Sequence, residues 1–199
     1  MYPTYTEKPA DFSFQNIRSC NADVFLDKVG LDAAKFARVK GIPFRGPKRK
    51  YLTKSVWLNN NKLKTFKNID QLLDTVLEHP EKLEWLDLSF NQIINIDESI
   101  SKFPNLKMLY LHGNCINEFN EIAKLKLLHN LKHLTFHGNP ISNHPRYRGF
   151  VVAVLPQLAN LDFSAVTKTE KISPLPAEAL KYFKEEKRRE EEAARAKKK

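Results

Sequence analysis

Histidine and cysteine are the side chains here with the most specific chemistry, since both bind metal ions and take part in catalysis. His112, His133 and His137 lie in one stretch of the sequence. If that stretch is extended at about 3.3 Å per residue, His133 and His137 are about 13 Å apart and cannot share one ion. The two cysteines, Cys20 and Cys115, have no metal-ligand spacing. We therefore predict that the chain holds no metal.

Catalytic groups are equally scarce. Asp87 and Tyr110 are expected to lie near one another, but no nucleophile, base and orienting group occur as a set. The words HGN at 112–114 and 137–139 are turn sequences, and the chain has no glycine-rich phosphate loop. We predict no catalytic residue, no cofactor and no small-molecule substrate, and hence a protein that is not an enzyme.

An internal repeat specifies the elements that position these residues. The template L-x-x-L-x-L-x-x-N-x-L recurs at the spacing of leucine-rich repeats. Its fixed positions are Leu83, Leu86, Leu88, Asn91 and Ile93, then Leu106, Leu109, Leu111, Asn114 and Ile116, then Leu131, Leu134, Phe136, Asn139 and Ile141. A weaker copy precedes them at Thr53, Val56, Leu58, Asn61 and Leu63, and a last copy without the asparagine has Leu158, Leu161, Phe163 and Val166.

The repeat predicts an α/β fold, a short leucine-rich-repeat solenoid with a parallel β-sheet on the concave side and helices and turns on the convex side. Each copy forms a short strand with inward leucines, and copies must stack because one alone cannot bury its apolar face. The asparagine amide carries donors and an acceptor, so it can satisfy backbone groups in the turn. We expect Asn61, Asn91, Asn114 and Asn139 to form a structural ladder.

Apolar periodicity predicts helices between and beyond the strands. In the helix at 69–77, which Asn68 can cap, every third or fourth residue is apolar. The other predicted helices are 32–40, 119–128, 144–155 and 177–199. The helix at 144–155 and the last repeat copy are expected to form a C-terminal cap, which a solenoid needs to cover its core. The charged helix at 177–199 has few apolar residues, so we expect it either to be exposed to solvent and frayed at its end or to become ordered on a partner.

The chain divides into three predicted parts. Residues 1–50 are an N-terminal arm and basic linker, 51–170 the repeat domain with its cap, and 171–199 a charged helical extension. The linker contains a basic group without any neighbouring acid: Arg45, Lys48, Arg49 and Lys50. This segment is either a solvated linker or a contact for an acidic surface, and it is expected to shield the edge of the first strand.

Charge and composition limit the class of protein. The net charge of +10 favours acidic partners such as nucleic acid, an anionic membrane or an acidic protein surface. Secreted proteins often contain many paired cysteines, so the presence of only two in this sequence indicates the reducing interior of the cell. The N-terminus has no apolar signal-peptide core, and the longest apolar run, 150–155, is too short to span a bilayer. We predict a soluble cytoplasmic protein without a membrane partner.

Residues between the inward leucines face the concave side in this template. We predict that a partner segment binds there, because Trp, Tyr and Met are enriched in protein interfaces. The alternative is that the terminal arms fold back over these side chains. The predicted contact residues are Trp57, Trp85, Asp87, Met108, Tyr110, His112, His133 and His137.

Several short sequence segments, taken in their order along the chain, resemble those of a known family. They are PADFSF at 9–14, SVWLNNN at 55–61, EHPEKLEWLDLSFN at 78–91, LYLHGN at 109–114, LTFHGNP at 134–140, YR at 147–148 and LDFSAVTK at 161–168. Together they resemble the leucine-rich repeat-containing protein 51 family. The resemblance implies a non-enzymatic protein of ciliated cells, a scaffold component of the ciliary or flagellar axoneme.

We therefore predict an adaptor whose concave face binds a protein partner and whose basic extensions bind acidic surface. Tubulin or subunits of axonemal complexes would be suitable partners. The alternatives are a ribonucleoprotein adaptor and a phosphatase-regulatory repeat protein. Nucleic acid is disfavoured because the concave face is aromatic but not basic, and because the chain has no RNA-recognition motif.

Overall fold

The computed structural model describes residues 8–30 and 43–196. The helix predicted at 32–40 lies outside these residues, as do the first seven and last three residues of the chain. Within the described residues, no helix is both long and apolar enough to cross a membrane.

The described strands form one seven-stranded sheet whose spatial order is the order of the chain. The strands are β1 (Ala10–Asp11), β2 (Ser55–Trp57), β3 (Trp85–Asp87), β4 (Met108–Tyr110), β5 (His133–Thr135), β6 (Asn160–Leu161) and β7 (Ser164–Ala165). Neighbours from β1 to β6 are parallel, and β7 alone returns antiparallel to β6. The predicted α/β solenoid with a parallel sheet is confirmed.

The inward leucines of the repeats form the core. In the copy at 106–116, Leu106, Leu109, Leu111 and Ile116 are all 0% exposed. The register pairs Leu86 with Leu109 across neighbouring strands, so equivalent side chains stack in columns. Because every copy buries the same positions, each strand completes the core of the one before it.

The N-terminal region adds a further unit to this core. Strand β1 pairs parallel with β2, and Phe12 and Phe25 are buried with ring centroids 5.0 Å apart. Phe25 belongs to helix α1 (Ala22–Lys28), which Asn21 caps through its side chain. The edge of β2 is therefore covered by β1, and the expectation that the basic segment covers it was wrong. The sheet and core thus include residues that precede position 51, where we predicted the repeat domain to begin.

Helices cover the convex side. Helix α2 (Ile69–Val76) buries Ile69, Leu72, Leu73 and Val76, as its periodicity predicts. Asn68 precedes it in a left-handed conformation with φ 66° and makes no side-chain cap, contrary to prediction. The 3₁₀ helix Pro80–Lys82 follows α2 in the same connection. Later connections have short elements as well: 3₁₀ helices at Glu98–Lys102, Lys124–Leu127 and Pro140–Asn143, and helix α3 (Phe119–Ala123).

The C-terminal cap comprises helix α4 (Tyr147–Val154), strands β6 and β7, and helix α5 (Lys168–Ile172). Arg148 ties these elements together. Its guanidinium donates to the Leu161 carbonyl at 3.2 Å and to the Ala165 carbonyl at 2.9 Å, and it pairs with Glu170 at 2.5 Å. The YR word at 147–148 is thus part of the cap's hydrogen-bond network.

Phe163 does not point into the core, so the prediction from the last repeat copy was wrong. Its side chain is 51% exposed, and its φ is +62°. The reason is Asp162, whose carboxylate accepts the Phe136 N–H at 2.6 Å and the His137 N–H at 2.9 Å. Its second oxygen accepts the Tyr147 hydroxyl at 2.8 Å. These bonds end the strand at Leu161 and turn the next residue outward.

The charged helix α6 (Ala177–Ala196) is docked at its start, whereas we predicted an exposed helix. Ala179 is fully buried, and Tyr182 and Phe183 pack against the core. Lys126 lies 5.9 Å from the Tyr182 ring centroid and 2.7 Å from a Glu186 oxygen, which fixes the second turn of the helix. A few small or aromatic residues were therefore enough to anchor a helix that is otherwise polar.

Candidate partner-binding site

The strand register brings six of the eight predicted contact residues to one face, where Met108 is nevertheless buried; His112 and His137 lie just beyond the strands. Trp85, Met108 and His133 are consecutive partners in one column, and Trp57, Asp87, Tyr110 and Thr135 in the next. The alternation of side chains along each strand puts these columns on the concave side, opposite the buried leucines. Their role in binding remains a prediction.

A row of aromatic rings runs across this face. Trp57 and Trp85 have ring centroids 5.2 Å apart, Trp85 and Tyr110 5.7 Å, and Tyr110 and Phe163 5.6 Å. All three pairs meet edge to face, a geometry that contributes about 0.5–1.5 kcal/mol per pair beyond area burial. We call Trp57, Trp85, Tyr110 and Phe163 the aromatic row.

A histidine pair continues the row toward the ends of the strands. The rings of His112 and His137 are stacked, with centroids 4.5 Å apart and planes 10° apart. Phe90 meets His112 edge to face at 5.0 Å, and Phe163 contacts both histidines, at 5.8 and 5.5 Å. The two imidazoles are thus held between aromatic rings.

Burial keeps His112 neutral. Desolvation first, and the neighbouring His137 second, lower the pKa of His112 to about 4, although Asp162 acts in the opposite direction. Its Nδ1 lies 2.8 Å from the Thr135 hydroxyl. Burial also lowers the pKa of His133, whose Nδ1 lies 3.0 Å from the Asn160 amide. Near neutral pH this face therefore presents His112 and His133 as uncharged rings.

Three half-exposed phenylalanines have left-handed backbones: Phe14 (φ 61°), Phe90 (φ 52°) and Phe163 (φ 62°). Phe14 and Phe90 stand where the other repeats have Gly113 (φ 66°) and Gly138 (φ 72°). A bulky residue is an outlier in this conformation, which costs on the order of 1–3 kcal/mol. Sequence reasoning missed this feature, although SFN at 89–91 in place of HGN was a readable signal.

Asp87 has a structural bond as well as a place on the face. Its carboxylate accepts the Ser89 N–H at 2.9 Å and the Ser89 hydroxyl at 2.6 Å. Asp11 makes the same two bonds to Ser13 at 3.0 and 2.5 Å. These Asp-x-Ser turns end the strands and leave a negative charge beside the aromatic row.

The repeat asparagines form a continuous ladder of amides. The Asn114 amide donates to the carbonyls of Leu88 and Leu111 at 3.0 and 2.9 Å and accepts the Ile93 N–H at 2.9 Å. Asn61, Asn91 and Asn139 make the corresponding bonds in their own repeats. Each amide therefore joins two successive turns.

A second ladder, which sequence reasoning missed, lies where the chain enters the strands. The side-chain amide of Asn105 donates to the Glu81 carbonyl at 2.8 Å, and that of Asn130 to the Pro104 carbonyl at 2.9 Å. Gln157 reaches the Leu128 carbonyl at 3.1 Å. The signal was an amide residue directly before the first leucine of the last three copies, at Asn105, Asn130 and Gln157.

The predicted basic contact lies in a turn beside the end of helix α2. The Arg45 guanidinium lies 4.7 Å from the Tyr51 ring centroid and donates to the Arg49 carbonyl at 2.9 Å. The Lys50 ammonium hydrogen-bonds to the Asp74 carbonyl. Lys48 and Arg49 are exposed. Arg45 and Lys50 thus help to hold the turn, while Lys48 and Arg49 extend into solvent.

The described residues offer no metal centre: no three His, Cys, Asp or Glu side chains within residues 8–30 and 43–196 are grouped to hold an ion. What the geometry provides is a surface of rings and carboxylates. Such a surface can bind another macromolecule through apolar contacts and charge.

A family profile described as leucine-rich repeat matches residues 68–196, and the chain is therefore a leucine-rich-repeat protein. It is 39% identical over 172 residues to the Rattus norvegicus leucine-rich repeat-containing protein 51, a match that covers 86% of this chain and 85% of the relative. The chain belongs to the leucine-rich repeat-containing protein 51 family.

Two other similarities have a narrower meaning. The Mus musculus centrosomal protein of 72 kDa is 37% identical over 100 residues, which is 50% of this chain and 15% of that protein. A crystal structure of the Drosophila melanogaster SNF/U2A' complex contains a chain that matches with a TM-score of 0.57 and 22% identity. The match covers 73% of this chain and 94% of that one, and at this identity it shows the fold alone.

Proposed function

We propose that this chain is a non-enzymatic adaptor that binds a partner protein on the concave face of its repeat domain. A leucine-rich-repeat domain implies protein partners, and the proposal specifies the surface. The observation that carries it is the aromatic row, together with the histidine pair and Phe90. Tryptophan, tyrosine and other aromatic side chains contribute most of the affinity in many interfaces, so a continuous row of them on one face favours binding.

The left-handed phenylalanines support the proposal. Glycine at position 90 would relieve the backbone, as it does at Gly113 and Gly138. The chain instead has a half-exposed ring there, 5.0 Å from His112. Conformational strain of this kind is concentrated at functional sites, where a side chain is needed despite its cost.

The charges of the face favour a neutral or cationic partner segment. The concave columns of β2 to β5 include Asp87 but no lysine or arginine, and Asp162 follows directly after β6. Phosphate groups require cations, so this face is unsuited to RNA and the ribonucleoprotein alternative is disfavoured. An arginine or lysine of a partner could stack on the rings and approach the carboxylates.

We propose that the protein acts in the ciliary or flagellar axoneme. Membership of the leucine-rich repeat-containing protein 51 family supports this, because the resemblance implies a scaffold component there. The local similarity to a centrosomal protein agrees with a role at microtubule structures. Tubulin or axonemal subunits would supply an acidic surface. That surface would bind the exposed cations Lys48 and Arg49, together with Arg45 and Lys50.

Trp85→Ala in the full chain tests the proposal. Trp85 contacts both Trp57 and Tyr110 in the row, and we expect its removal to lower partner recovery from ciliated cells about 30-fold, the loss of one interface anchor of about 2 kcal/mol. Phe44→Ala is the control, because Phe44 is 86% exposed and lies outside the concave columns. Full recovery with Trp85→Ala combined with early melting would show that the row is internal packing.

A further inference from the structure

Four cations lie at the N-terminal end of the solenoid, where the chain leaves the first two strands: Arg18, Lys62, Lys64 and Lys67, all exposed. The Lys62 N–H donates to the Ile17 carbonyl at 2.8 Å, so Arg18 and Lys62 stand on neighbouring segments about 5 Å apart. Lys64 follows at the next outward position, and Lys67 comes after a turn that the Thr65 hydroxyl closes at 3.1 Å. We call these four residues the basic edge.

The charges of the basic edge are not compensated. Within the part of the chain that the structure describes, none of the four side chains is hydrogen-bonded or ion-paired to a carboxylate. Other lysines are paired, in Lys54–Glu84, Lys102–Asp70, Lys107–Glu84, Lys124–Glu121 and Lys126–Glu186. Acids nearby include Asp97, which accepts the Ser99 N–H at 3.0 Å and whose charge is felt at Cys20, and Asp70, which follows Lys67 by three residues but pairs with Lys102.

An exposed apolar side chain lies beside these charges. Ile94 is 52% exposed, and its N–H donates to the Lys64 carbonyl at 3.3 Å, so it lies on the next repeat beside Lys64. It occupies the same outward position as Lys64 in its own repeat. The surface thus combines an uncompensated positive field with one apolar contact.

We propose that the basic edge, with Ile94 as an apolar anchor, is a docking surface for an acidic segment of a partner protein. Arg18 and Lys62 lie on neighbouring segments, and Lys62 and Lys64 are at alternate positions of one segment, an arrangement that suits carboxylates along one chain. Three of the four are lysines, whose ammonium groups bind carboxylates as point charges. These five residues include no aromatic ring on which a base could stack, so an acidic protein is favoured over RNA.

This surface is distinct from the concave face and goes beyond the proposed function. The concave columns carry carboxylates and rings, whereas the basic edge carries cations and an isoleucine. One chain could therefore hold a cationic segment in its concavity and an acidic segment at its N-terminal end. Failure of one surface would leave the binding of the other unchanged, so the two proposals can be tested separately.

The test measures the binding of a synthetic peptide to the full chain by fluorescence anisotropy. The probe is a glutamate-rich peptide with one central leucine, and a second probe has glycine at that place. One variant combines Arg18→Gln, Lys62→Gln, Lys64→Gln and Lys67→Gln. The control combines Lys82→Gln, Lys168→Gln, Lys184→Gln and Lys187→Gln, which are exposed and give the same change in net charge.

We expect the basic-edge variant to bind the leucine peptide about ten-fold more weakly, as the loss of several surface ion pairs predicts, and the control less than about three-fold. Ile94→Ser should abolish the advantage of leucine over glycine. Both combined variants should melt like the wild type, because the substituted side chains are exposed. Equal losses in both variants would overturn the proposal, since binding would then follow net charge alone. Tighter binding of homopolymeric RNA or phosphatidylserine vesicles through the same four residues would overturn it as well.

Discussion

Replacing Phe90 by asparagine separates a binding role of the ring from a structural one. Phe90 is 52% exposed and has φ +52°, and Asn60 occupies the equivalent place one repeat earlier with φ 55°. Asparagine tolerates the left-handed conformation better than phenylalanine, so the change relieves strain on the order of 1–3 kcal/mol. It also removes the half-buried part of the ring, about 100 Å² of apolar surface or roughly 2 kcal/mol.

Because these two effects oppose each other, we expect the free energy of unfolding to stay within about 1 kcal/mol of the wild-type value. Partner affinity should fall about 30-fold, the loss of one interface anchor of about 2 kcal/mol. Chemical denaturation gives the first quantity, and titration of the isolated partner gives the second.

Phe44→Asn is the matched control, since Phe44 is 86% exposed outside the concave face and should change neither quantity. A loss of more than about 3 kcal/mol in stability with unchanged affinity would refute the reasoning, because that is the range for truncating a buried phenylalanine. Phe90 would then be a packing residue, and its left-handed backbone would have no functional meaning.

Three further perturbations test the parts that hold this surface in place. Asn114→Ala should destabilise the fold by about 1–3 kcal/mol in thermal melts, because buried turn groups lose their partner, whereas the exposed Asn117→Ala should cost much less. Since the folded pKa of His112 is lowered to about 4, its contribution to stability is complete above an unfolded pKa of about 6.5 and is lost as the pH falls toward 4. His112→Gln should flatten the dependence of the melting temperature on pH in that window, and the exposed His129→Gln should not. Tyr182→Ala removes the contact with Lys126 and should make the start of helix α6 more sensitive to limited proteolysis.

Sequence alone was sufficient for the repeat domain, because one physical rule governs all its copies. A single repeat with a three-residue strand cannot bury its inward leucines or pair its backbone alone. The spacing of Leu106, Leu109 and Leu111 therefore specifies strand, sheet and core together. The same alternation of side chains along the strands correctly predicted that Trp85 and Tyr110 lie on one face of the sheet. These predictions depended on local spacing, which the printed sequence shows directly.

The features that were missed depend on contacts between distant segments. Strand β1 was not predicted because Ala10 and Gln15 stand where other copies have leucine and asparagine; only pairing with β2 reveals the repeat. Phe163 follows the leucine pattern, yet Asp162 accepts two backbone N–H groups of the previous repeat and turns it outward. The basic edge joins Arg18 to lysines more than forty residues away, so no window of sequence shows the cluster.

The most direct measurement of the central claim is site-specific photo-crosslinking in ciliated-cell extract. A photoreactive phenylalanine analogue replaces Tyr110 in the aromatic row in one preparation and Gln71, exposed on convex helix α2, in another. We expect a discrete partner adduct from position 110 that Phe90→Asn suppresses, and no such adduct from position 71. The same adducts from both positions, or an adduct from position 71 alone, would contradict binding through the concave face.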